Sequence, residues 1–161
     1  MQRFVQMRVT VIRFVVTMLI VLAIGCQSRP PADVQPFMGR LNDQTRSEFQ
    51  SFPAERQVAI FLQVRKYSRP PNYFLASEIA SQNGSQALAI ATSRLKGEQD
   101  ESTDLQLIDL IHVLCVSKQV CTDQTLLSVI SSKVESMSNG AYRQQGTDLL
   151  QAIRESSAHP Q

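Results

Sequence analysis

Residues 103–117 read TDLQLIDLIHVLCVS, and their reading decides the fold. Leu107, Ile108, Ile111, Leu114 and Cys115 recur at three and four positions, so as a helix they form an apolar stripe wide enough to be covered on two sides. The polar run GEQDES at 97–102 precedes it as a loop. Downstream, Thr122 is a suitable cap for a helix whose Leu127, Ile130, Val134 and Met137 share one face, and Asn139-Gly140 ends it. A last helix places Tyr142, Leu149, Leu150 and Ile153 together. Gly146 falls on that same face; because glycine costs about 1 kcal/mol against alanine in a helix, it marks a close approach between helices.

Upstream, Pro53 suits a first helical residue and Glu55 a first turn, while Val58, Phe61, Leu62 and Arg65 repeat before Pro70-Pro71 stops the element. Asn72 leads a short helix with Ala76, Ile79 and Ala80 inward, ended by Asn83-Gly84. Ser85 caps the next, marked by Leu88, Ala91 and Leu95 before Gly97. Residues 37–51 read as helical through Phe37, Leu41 and Phe49. No segment alternates with period two. The fold class is therefore all-α, about seven short antiparallel helices over residues 37–155 with a flexible tail at 156–161. In architecture alone this is similar to the stacked helical hairpins of HEAT or TPR repeats, although neither family's residue signature is present.

The amino terminus carries a different signal. Arg3, Arg8 and Arg13 precede FVVTMLIVLAI at 14–24, an apolar run of about 16 Å as a helix, short for a 30 Å hydrocarbon core. This is a secretory pattern, with a retained anchor as the alternative. At Leu22-Ala23-Ile24-Gly25-Cys26 the sequence resembles the lipobox of bacterial lipoprotein precursors, although Ala23 stands where leucine is usual. The resemblance covers residues 1–26 only. It implies cleavage after Gly25, a signal peptide at 1–25, and Cys26 as the lipidated first residue facing the periplasm. Gln27 after the cysteine implies the outer membrane, by analogy with enterobacterial sorting. Ala23 and Gly25 also fit ordinary signal cleavage and a soluble secreted product. Residues 26–36, with three prolines, read as the lipidated cysteine and a short tether.

Lipidation of Cys26 leaves Cys115 and Cys121 as an even pair bracketing a helical turn, which suits a structural disulfide in an oxidising compartment. A loop of that size gains about 2 kcal/mol from the bond in the chain-entropy account. A redox pair or a metal role fits the wider spacing less well. His112 has one carboxylate, Asp109, three positions before it, so an acid–base pair can be drawn, yet a helix-surface or satisfied boundary histidine is the preferred reading, because no second ligand or nucleophile follows at a useful spacing. Glu98, Asp100, Glu101, Asp104 and Asp109 fail the calcium-loop template: from Asp100, position six is Leu105 and position twelve is Ile111. No catalytic residue, cofactor or metal site is assigned.

Without residues 1–25 the chain holds 13 basic and 14 acidic side chains, a net −1, which argues against nucleic acid as a partner. Residues 26–96 carry nine basic against five acidic groups, +4, and residues 97–161 four against nine, −5. These halves either attract one another in packing or steer a charged partner. The expectation is a lipid-anchored, non-enzymatic module that binds another protein, as an envelope accessory or an immunity-type lipoprotein. The alternatives are a small envelope enzyme with a carboxylate site and a passive spacer.

Overall fold

The computed structural model describes residues 29–68, 73–118 and 123–158. The signal segment with Cys26, the Cys121 turn and the His159 tail lie outside them. Every regular element among the described residues is helical. A 3-10 turn at Gln35–Phe37 precedes α1 (Asp43–Ser51), α2 (Ala54–Tyr67), α3 (Tyr73–Lys96), α4 (Glu101–Lys118), α5 (Gln124–Ser136) and α6 (Gly140–Ala158).

Short polar side chains set the starts. Asn42 accepts from Thr45 N at 2.8 Å ahead of α1, and Asp100 from Thr103 N at 3.0 Å at α4. Pro53 sits one position outside α2, in an extended conformation. The cap of α5 is Asp123, accepting from Thr125 N at 2.8 Å, and not Thr122. Asn139 starts α6 by accepting from the Ala141 and Tyr142 N–H groups at 3.0 and 3.2 Å; α5 has already ended at Ser136.

The two helices expected on either side of Asn83-Gly84 are one kinked helix, α3. Asn83 alone leaves helical geometry (φ −119°, ψ 21°), and Ser85 lies inside the helix instead of capping a new one. The break stays a kink because the deviation is confined to that residue and its side chain is held from outside. Asn83 Nδ2 donates to Gln57 Oε1 at 3.1 Å, and Gln57 Nε2 donates to the Phe49 carbonyl at 2.9 Å. Gln57 is fully buried, so this chain of bonds satisfies it and ties α1, α2 and α3 together.

Helix α4 is the centre of the packing. Leu105, Leu107, Ile108, Leu110, Ile111, Leu114 and Cys115 are all buried, and α3 and α6 cover it from two sides. Helix α2 lies along α3, while α5 packs on α6 and α3. The apolar side chains form a single core, in which each large residue removed from water contributes about 1.5–3 kcal/mol. Gly146 is buried where the last two helices meet: a Cβ there would come within 2.8 Å of Val134 Cγ2, as its place on the apolar face suggested.

The packed domain starts earlier than residue 37. Val34, read as spacer on its proline-rich setting, is fully buried, because its N–H and that of Gln35 bond the Pro31 carbonyl and turn the chain inward. Phe37 then stacks near Phe49 and Phe52 at centroid distances of 5.7 and 6.0 Å, and Asp33 pairs with Arg56 at 2.6 Å.

Candidate functional site

The sequence offered Asp109 beside His112; the structure gives Asp109 a different partner. Both residues lie on α4, but the Asp109 carboxylate points at α2 and pairs with Arg65 Nη2. The Arg65 and Asp109 side chains are 9% and 3% exposed, so the pair is nearly dry. Burial pushes the Asp109 carboxyl above its ordinary value of 3.8, and the charges of Arg65 and, more weakly, His112 pull it back in part. The Arg65 guanidinium also lies 5.6 Å from the Tyr73 ring centre, over its face, which joins the start of α3 to the same cluster. Its Nε has no hydrogen-bond partner. A carboxylate held in this way joins two helices.

The remaining acidic residues from the same region are likewise engaged. Asp100 caps α4 and accepts from Thr103 Oγ1 at 2.6 Å, bonds that lower its pKa. Glu101 reaches across to the start of α6, accepting from Ser138 N and Oγ at 2.6 Å each and from Asn139 N at 3.0 Å; these bonds lower its pKa. Asp104 pairs with Lys133 at 3.3 Å, and Lys133 also donates to the Gly97 carbonyl at 2.7 Å. Burial raises the Asp104 pKa and Lys133 lowers it in part; one carboxylate oxygen, Oδ1, has no partner. No grouping of three or more His, Cys, Asp or Glu able to hold a metal occurs among the described residues.

Cys115 is buried near the end of α4, where the sequence placed it; its expected partner Cys121 and the lipidation candidate Cys26 lie outside the described residues. No helix among the described residues is long and apolar enough to cross a membrane.

Two features of the surface went unread in the sequence. A groove of about 500 Å³ runs between α2 and α4, floored by Ala59 and Leu62 and bordered by Gln63, Lys66, Arg94 and Gln106. Elsewhere Tyr73, Phe74 and Val116 expose half or more of their apolar surface, or close to it. The signal for the buried pair was present: Arg65 falls in phase with the apolar stripe of α2, and a cation at a core phase requires an anion. The groove left no such trace, since its residues come from three helices far apart in sequence.

No protein-family model matches this chain, and comparison with curated proteins and with solved structures finds no match either.

Proposed function

We propose that this chain is a lipid-anchored bacterial envelope protein, held by Cys26 on the periplasmic side of the outer membrane, whose helical domain binds another protein. The support for the anchor is the charged start, the apolar run and the small residues before Cys26, with a packed domain beginning only eight residues later at Val34. Acyl chains contribute about 0.8 kcal/mol per buried methylene, so a multiply acylated cysteine holds the domain without a spanning helix. We further propose that Cys115 and Cys121 form a structural disulfide, which the buried place of Cys115 near the end of α4 favours over a reactive thiol.

The observation that carries the binding reading is the Arg65–Asp109 pair. The carboxylate best placed for chemistry is committed to joining α2 and α4, and Asp100, Asp104 and Glu101 are committed in similar ways. The test is affinity purification of the full chain in mild detergent from cross-linked envelopes. A protein partner recovered in stoichiometric amount supports the reading. Turnover of an envelope substrate that disappears in Asp109→Asn, with the fold intact, refutes it.

A further inference from the structure

We propose that the groove between α2 and α4 is the seat of an extended, carboxylate-bearing peptide segment of the partner, a proposal that rests on the protein-binding reading above. At about 500 Å³ it is in the size range of small-ligand sites, and no described side chain fills it.

Its borders carry the chemistry. Lys66 comes from the last turn of α2 and Arg94 from the last turn of α3, yet both reach the same groove. Either cation would stabilise a helix end by itself, which does not require the two to converge. Neither pairs with a described carboxylate, whereas Arg46, Arg56, Arg65 and Lys133 each do. The one carboxylate on the lining, Asp100, has both oxygens taken by Thr103. Two cations against one anion leave the lining at +1.

The same border holds a buried, unmet acceptor. Gln63 borders the groove and its Oε1 has no hydrogen-bond partner. Rotation of that carboxamide about its last torsion presents the oxygen to a donor. A free phosphate answers the cations, and its O–H can answer Gln63, but it leaves the apolar floor of Ala59 and Leu62 uncovered. An extended peptide answers all three, with carboxylates for Lys66 and Arg94, a backbone N–H for Gln63 and methylenes for the floor. Ala59 and Leu62 give its flanking methylenes an apolar floor.

The test uses the full chain in non-ionic detergent and a fluorescein-labelled peptide of alternating glycine and glutamate, followed by fluorescence anisotropy. Saturable binding is expected. Arg94→Gln and Lys66→Gln should each weaken it by about tenfold, the loss of a charge-assisted hydrogen bond, and both should stay folded by circular dichroism, melting within a few degrees of the wild type. Gln63→Leu should weaken the peptide. No saturable binding, equal binding by the cation variants, or displacement by phosphate as effective as by unlabelled peptide each overturns the groove. Undiminished partner capture by the Lys66→Gln/Arg94→Gln double variant also overturns it while sparing the protein-binding reading. Variant-sensitive peptide binding with no protein captured by any version upholds the groove and fails that earlier reading.

Discussion

A methyl group at position 146 would sit 2.8 Å from Val134 Cγ2, closer than side chains tolerate. Gly146→Ala therefore sets a gain of about 1 kcal/mol in helix propensity against an overpacking cost of about 1–3 kcal/mol. The cost should win: urea unfolding is expected to show a lower midpoint, recovered in part by adding Val134→Ala, which removes the clashing methyls. The position was legible because glycine on the apolar face of a helix has few other uses. Asp109 was only half legible, since its partner lies 44 residues away and spacing along one helix suggests His112 first. Arg65→Met, which strands a buried carboxylate, should cost about 3–5 kcal/mol, and the Arg65→Met/Asp109→Leu double variant should regain most of it. The pH dependence has a definite sign. Because burial raises the folded-state pKa of Asp109, its contribution is fully present below the ordinary value of 3.8 and is lost as pH rises through the folded one. Stability of the wild type minus that of Asp109→Asn, measured by urea titration across pH, should fall through that window and then flatten. Glu101, with its pKa lowered, acts in the opposite sense, stabilising above its unfolded value and losing that effect as pH falls.

The apolar stripes of the helices could be read from the sequence because each depends on residues three and four apart, all local. Caps were less secure: Asp123 and Thr122 are adjacent and both good N-caps, so composition alone could not rank them. The kink at Asn83 was misread as a break because glycine and asparagine are common helix-ending residues, whereas here the Asn83 side chain is held by Gln57 from another element. Gln57→Leu leaves the Phe49 carbonyl and the Asn83 amide without their buried partner, a loss of about 1–3 kcal/mol. Thermal unfolding followed by circular dichroism should register it as a lower Tm. Asn139→Ala should cost about 1 kcal/mol by removing the cap of α6.

At the scale of the whole molecule, the opposite charges of the two halves meet, among the described residues, in the Arg65–Asp109 pair, while Arg46–Glu78, Arg56–Asp33 and Lys133–Asp104 pair within a half. Most of the described charges of the two halves are therefore not paired across them, and would be available to the proposed partner. Exposed charges are screened over about 8 Å at physiological salt, so association with a captured partner should slow clearly as salt rises while dissociation changes little. Stopped-flow kinetics at two salt concentrations would measure it, and an unchanged association rate would remove the steering idea. The all-helical class could be read because no stretch competes with the helical period; the groove could not, because contacts among three helices depend on a geometry that local pattern does not encode.

The burial of Val34 shortens the leash. Counted to Pro30, before the turn that closes on the Pro31 carbonyl, the chain behind the proposed lipid on Cys26 is residues 27–30, which at about 3.1 Å each reaches roughly 12 Å, against about 30 Å had the domain begun at residue 37. Under the proposed anchor, a domain held that low would explore a thin sheet of space above the bilayer, and its encounters would become two-dimensional, governed by lateral drift in the membrane. A partner would then have to bring its own surface down to that height, and altering those four residues of slack would change which neighbours are reachable without touching a single binding contact.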